Sequence, residues 1–150
     1  MCYIDETGID EYLYRPLARA KRGQKIYKKI RGKKFERISI VAGKTDTGIV
    51  APMMFNGTAD SVLFEFWFEN HFCPEMSGNI AVLDNASIHR KARLHVIAKQ
   101  HDITLLFLPP YSPSLNKIEG YWAWLKDKLR SCMSAFEKLT DAICYCFQVE

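Results

Sequence analysis

Asp5, Asp84 and Glu119 stand in the contexts that a metal-dependent phosphoryl-transfer site requires. Asp5 closes the short apolar run Cys2-Tyr3-Ile4 and Asp84 closes Ile80-Ala81-Val82-Leu83, and both runs read as buried strands. Glu119, in Asn116-Lys117-Ile118-Glu119-Gly120-Tyr121-Trp122, opens a helical pattern, and 34 residues separate it from Asp84. Hard oxygen ligands of this kind suit Mg²⁺, which prefers carboxylate and phosphate oxygens and keeps several waters. Two such ions about 4 Å apart activate an attacking oxygen and stabilise a leaving oxygen on one phosphorus. Three acids gathered without metal repel one another, so the site is expected to be strained when empty. Taken singly, each acid reads better as an ordinary residue at a strand or helix end, where acids are common.

The elements that must position these acids alternate along the chain. A first strand ends at Asp5, and residues 8–34, with Gly8, Pro16, Gly23 and Gly32 among many basic residues, read as a long loop. Phe35–Ala42 and Ile49–Phe55 are strands joined by Gly43–Gly48 turn chemistry, a hairpin over 35–55. Pro52 places the second of them at a sheet edge. Thr58 is the expected cap of a helix reaching about His71, apolar on nearly every side, with Pro74 and Gly78 ending that unit. Asn79–Leu83 is a strand, Ser87 caps a helix running to about Gln100, and Thr104–Leu108 is another strand. Pro109-Pro110-Tyr111-Ser112-Pro113-Ser114 then leads stiffly into a helix from about Lys117 to Arg130. Ile118, Trp122, Leu125 and Leu129 form its apolar stripe; Glu119 lies beside that stripe, with Lys126 and Arg130 on its own face. A last helix covers Phe136–Phe147. This order predicts an α/β fold, a mixed sheet with helices on its faces, whose sites form at the carboxyl ends of strands.

The bulk properties agree with one domain over residues 1–150. Hydrophobic content is 48% and charged content 25%, no apolar run reaches the roughly 18 residues of a membrane span, and no secretory leader is visible, so a cytoplasmic protein without a membrane partner is expected. Five cysteines, an odd number without Cys-x-x-Cys, read as buried thiols in a reducing compartment; Cys144-Tyr145-Cys146 is the alternative soft-metal or redox pair. The net charge is +4, but Arg15, Arg19, Lys21, Arg22, Lys25, Lys28, Lys29, Arg31, Lys33, Lys34 and Arg37 crowd one segment in which Glu36 is the only acid. Beside three metal-type carboxylates, such a segment points to a nucleic-acid backbone.

The stretches Tyr3-Ile4-Asp5-Glu6-Thr7-Gly8, Leu83-Asp84-Asn85-Ala86-Ser87-Ile88-His89 and Leu108-Pro109-Pro110-Tyr111-Ser112-Pro113-Ser114-Leu115-Asn116-Lys117-Ile118-Glu119 closely resemble the DDE transposases of the IS630/Tc1–mariner superfamily. The 34-residue interval matches that group, and the likeness runs from Tyr3 to about Arg130. The resemblance implies an RNase H-like mixed five-stranded sheet flanked by helices. It also implies a site for two Mg²⁺ ions (Mn²⁺ able to substitute), and cleavage and joining of DNA at transposon ends. Asp5, Asp84 and Glu119 would be the catalytic metal ligands, with Asn85, His89 and Asn116 in supporting roles. The segment Tyr12–Lys34, with Arg15 through Lys34, falls where relatives make dimer and DNA contacts. The partners implied are double-stranded DNA, both transposon end and target, and a second copy of the chain, with a nucleoid-associated location.

Three departures from the family pattern are visible. Lys117 replaces a usual proline, Ser114 a frequent acid, and the helix-turn-helix region that precedes the first strand in relatives is absent. Only four residues precede Asp5, about 13 Å of extended chain at roughly 3.3 Å each. A second reading frame of a split element, a decayed remnant or a trimmed piece would each look this way. A separate helix-turn-helix protein would then be a further partner. The alternatives to an active transposase domain are a catalytically silent DNA-binding or assembly fragment, and another RNase H-like nuclease.

Overall fold

The computed structural model describes residues 1–10 and 37–149. The basic residues Arg15 to Lys34 lie outside the described residues. Five strands form one sheet: β1 (Cys2–Asp10), β2 (Arg37–Lys44), β3 (Ile49–Asn56), β4 (Ile80–Leu83) and β5 (Thr104–Phe107), in the order β3-β2-β1-β4-β5. β2 pairs antiparallel with β1 and β3, and β4 pairs parallel with β1 and β5. This is the mixed five-stranded sheet expected, with the proline-bearing β3 at an edge.

Pro52 is accommodated by a bulge. Val41 faces Met53 and Gly43 faces Val50, so Ala51 and Pro52 together oppose Ala42. The extra residue bends the edge strand where proline has no N–H to give. Ala51 takes a φ of +48° there, and its carbonyl accepts a 2.7 Å bond from the buried Trp67 indole N–H.

Helices cover both faces. On one side lie α1 (Ser61–Trp67), a π-helical turn (Phe68–Phe72), α2 (Cys73–Met76) and α3 (Lys91–Gln100). Phe64, Trp67, Phe68 and Phe72 are fully buried there against Cys2, Ile4 and Leu83. On the other side, α4 (Ile118–Cys132) and α5 (Leu139–Gln148) pack Ile118, Trp122, Leu125, Leu129 and Ile143 against Ile9, Ile38 and Ile40. The stripe expected for α4 is thus its buried face. No helix among the described residues is long and apolar enough to cross a membrane.

Several expectations need correction. Asp60, not Thr58, caps α1, its side chain accepting from the Leu63 N–H at 2.8 Å. The helical unit does not stop at Pro74 but continues to Met76, because Pro74 falls in the first turn of α2, where a missing N–H breaks no bond. It is not apolar all round in packing either: Val62 and Phe66 are 68% and 53% exposed. Ser87 caps nothing; α3 begins at Lys91, four residues later. Of the five cysteines, Cys2, Cys73 and Cys146 are buried and burial pushes their thiols up to about 12, whereas Cys144 is exposed. The partner of Cys146 is Cys132, 3.7 Å away between α4 and α5, rather than Cys144.

The largest correction concerns Asp5. It does not end its strand: β1 continues to Asp10, paired with β2 from Tyr3↔Lys44 to Asp10↔Arg37. The parallel neighbour β4 does end, at Leu83, and its register with β1 runs Cys2↔Ala81 and Tyr3↔Val82. Continued two residues, that register sets Asp5 beside Asp84, at the carboxyl end of β4. Asp5 therefore sits where a site is expected, for a different reason.

Candidate active site

An open cleft of about 480 Å³ lies beyond the end of β4. Its lining includes Asp5 from β1, Asp84 and Asn85 from the β4 exit, Pro109 to Pro113 from the loop after β5, and Asn116 and Glu119 at the start of α4. All three sequence-predicted acids thus share one cleft, carried by three separate elements.

Asp5 is half-buried on the face of β1 that meets α4. The Trp122 indole N–H donates to its Oδ2 at 3.2 Å. Burial, with Glu119, Glu6 and Asp84 adding negative charge nearby, lifts its carboxyl to about 7. Asp84 is in the opposite condition. Its Oδ1 accepts from the Ala86 N–H at 3.0 Å and from His89 Nδ1 at 3.0 Å, and the His89 bond is the main cause that holds this carboxyl below its usual range. Both bonds land on Oδ1, so Oδ2 takes neither. Glu119 is exposed in the first turn of α4, where the helix N-terminus favours negative charge. Asp5 therefore owes its raised carboxyl first to burial and only then to the acids near it.

The supporting residues each have a definite place. His89 is 4% exposed, against the Phe64 ring at 4.3 Å between centroids. Its Nδ1 faces Asp84 and its Nε2 lies 3.4 Å from Glu6 Oε1. Burial opposes the charged imidazole, but the bonds to Asp84 and Glu6 outweigh it and raise His89 to about 9. The Asn85 amide donates to the Leu108 carbonyl, tying the β4 exit to the loop after β5. Asn116 is 5% exposed; its Nδ2 donates to the Ile4 carbonyl at 3.4 Å, and its Oδ1 is buried with no partner. That orientation is the favourable one, because the flipped amide would set two oxygens against each other. Asn116 thereby pins the start of α4 to β1 one residue before Asp5. Lys117, where a proline is usual in the family resembled, sits 5.5 Å over the Tyr3 ring and reaches Asp46 at 3.7 Å.

Sequence reasoning missed Glu6, Trp122 as a donor, and the exposed Tyr111. Glu6 follows Asp5 directly but points to the opposite face of β1, and it lies 83 positions before His89 in the chain. Trp122 read as stripe apolar surface, which it is, with its N–H end on Asp5.

The donor set fits a hard divalent cation: three carboxylates line the cleft, and Asp5 behaves as an acid lacking a counter-charge. Among the described residues no three His, Cys, Asp or Glu side chains stand close enough to cage an ion as they lie.

Comparisons with known proteins identify the fold and the family. A paired-end complex of Mos1 transposase with a left transposon end superposes with a TM-score of 0.69 at 14% identity, covering 99% of this chain and 48% of that one. The catalytic core domain of BIV integrase gives 0.56 at 16% identity over 75% of this chain and 72% of that one. These likenesses establish the RNase H-like fold. An uncharacterized protein of Sinorhizobium fredii, y4pE/y4sA, is 36% identical across 41% of this chain and 53% of its own length. The chain spans about half the length of that relative and of the Mos1 chain. The family model for DDE superfamily endonucleases matches residues 1–141, and the chain belongs to that family.

Proposed function

We propose that this chain is the single catalytic domain of a DDE transposase of the IS630/Tc1–mariner type, cutting and joining DNA at transposon ends. The observation that carries the proposal is the convergence of Asp5, Asp84 and Glu119 on one open cleft in a chain of the DDE endonuclease family. Two divalent cations, Mg²⁺ or Mn²⁺, supply Lewis-acid stabilisation of the attacking and leaving oxygens when bound. The residues of the chain hold and aim the rest. Trp122 orients Asp5 through Oδ2, His89 and the Ala86 N–H orient Asp84 through Oδ1, and Asn116 fixes the position of Glu119 relative to β1. A water oxygen would attack one phosphodiester and break its P–O3′ bond, leaving a 5′-phosphate and a 3′-hydroxyl; that hydroxyl would then attack a target phosphodiester, joining to its phosphorus as the target's own 3′-oxygen leaves and takes up a proton. Catalysis rests on positioning and electrostatic stabilisation.

The basic residues Arg15, Arg19, Lys21, Arg22, Lys25, Lys28, Lys29, Arg31, Lys33 and Lys34 would neutralise DNA phosphates, a role supported by their charge alone. A second copy of the chain, a separate end-recognising helix-turn-helix protein and a nucleoid-associated location belong to the same proposal. The test is nicking of supercoiled plasmid in Mg²⁺, Mn²⁺ or EDTA by wild type and Glu119→Gln. Nicking that needs metal and vanishes in the variant supports it. DNA binding with no nicking in either protein, with and without the helix-turn-helix partner of a relative, would instead identify a silent binding fragment.

A further inference from the structure

Tyr111 occupies an unusual position at the lip of the cleft. Its φ is +57°, a left-handed backbone that bulky residues avoid, and its side chain is 102% exposed, so the ring adds nothing to either core. The loop that presents it is stiff. Pro109, Pro110 and Pro113 restrict it; the Asn85 amide holds the Leu108 carbonyl at its start; and the Leu115 and Asn116 N–H groups bond back to Ser112 and Pro113 at its end, at 3.1 and 2.9 Å. A strained backbone that persists without packing reward is one that the surroundings over-determine, and such residues cluster at ligand sites. Tyr111 shares the cleft lining with Asp5, Asp84 and Glu119.

The chemistry beside it selects the ligand. A phosphodiester held among those carboxylates brings its flanking bases to the rim of the cleft. A rigidly held aromatic ring stacks on the face of any base, but only where that base has left the duplex stack. We propose that Tyr111 is a stacking platform for an unpaired base next to the reacting phosphate. The site then takes locally opened DNA in preference to continuous duplex. This rests on the cleft binding a DNA phosphodiester.

The test is equilibrium binding in Ca²⁺, with two probes: a duplex carrying 2-aminopurine in a short unpaired step, and the same duplex fully paired. Wild type is expected to bind the opened probe more tightly and to quench its fluorescence. Tyr111→Phe should retain both effects. Tyr111→Ala should weaken binding to the opened probe roughly 10-fold or more, lose the quenching, and leave the paired probe unchanged. Tyr111→Gly, which removes the backbone strain along with the ring, should bind like the Ala variant while melting no lower than wild type, separating stacking from folding. If wild type binds DNA and Tyr111→Ala binds the opened probe equally well, the platform is refuted while the DNA-binding cleft stands. If wild type binds neither probe, the cleft's role in DNA binding fails and the platform with it.

Discussion

Removing the charge from Asp5 should stabilise the metal-free protein, and do so in a pH-dependent way. The Asp5 carboxyl is lifted from 3.8 to about 7, mainly by burial. An acid whose folded pKa lies above its unfolded value holds its proton more readily when folded, so stability falls as pH rises through the interval from about 4 to about 7. A rise of that size corresponds to about 4 kcal/mol. Asp5 lines an open cleft, and solvent there screens the charge, so about 1–3 kcal/mol is the expected gain for Asp5→Asn at pH 8 in EDTA. The gain should shrink to less than half at pH 5, where the folded wild-type carboxyl is already protonated. The asparagine oxygen can still accept from the Trp122 N–H, so that bond is kept. Urea unfolding of both proteins at the two pH values measures the difference directly. Mg²⁺ should stabilise wild type and not the variant, and calorimetry in two buffers should show proton release on binding near pH 7. An equal gain at pH 5 and pH 8, or a loss at pH 8, would refute the view of Asp5 as a buried acid lacking its counter-charge.

Asp84→Asn should act in the opposite sense, destabilising the metal-free fold by about 1–2 kcal/mol at pH 7, because it removes an anion that serves His89 and the Ala86 N–H. His89, raised to about 9, contributes stability that is complete below about 6.5 and lost as pH rises through 9; an NMR titration should find its midpoint near 9 in wild type and lower in Asp84→Asn. Gly43→Ala would place a methyl group 2.5 Å from Cys2 Sγ and 2.8 Å from the Phe72 ring, and should cost about 1–3 kcal/mol in a denaturant melt. Gly120→Ala meets nothing within 4 Å and lies inside α4, so it should gain up to about 1 kcal/mol and serves as the control.

What could be read from the residues, and what could not, divides by range. The strands, the α4 stripe and the convergence of Asp84 and Glu119 were legible because each follows from a local period or a strand end. The edge position of β3 was legible because proline forbids a central ladder. Asp5 lines the cleft although the sequence reading ended its strand too early. Nothing local in Glu6-Thr7-Gly8-Ile9-Asp10 signals that β1 runs on, since that extension exists only through its pairing with β2. The caps failed by two and three residues because Thr58, Asp60 and Ser87 are all competent side chains, and only the chain path selects among them. The polarity of the site was hidden for the same reason. Three acids in a sequence look alike, yet one is lifted to about 7 and another is held low, and the difference comes from the burial of Asp5 and from the His89 and Ala86 bonds that Asp84 accepts. The described residues that hold these acids carry a cluster of unlike roles on the two faces of one strand: Asp5 toward α4, Glu6 toward α1 and His89. A change at Glu6 should therefore reach the site through His89 and Asp84 without touching the cleft, which makes Glu6→Gln a sharper probe of how Asp84 is aimed than any substitution of the three acids themselves. It should lower the His89 midpoint, and lower Asp5 to a lesser degree, because burial, the main cause of the Asp5 shift, is untouched.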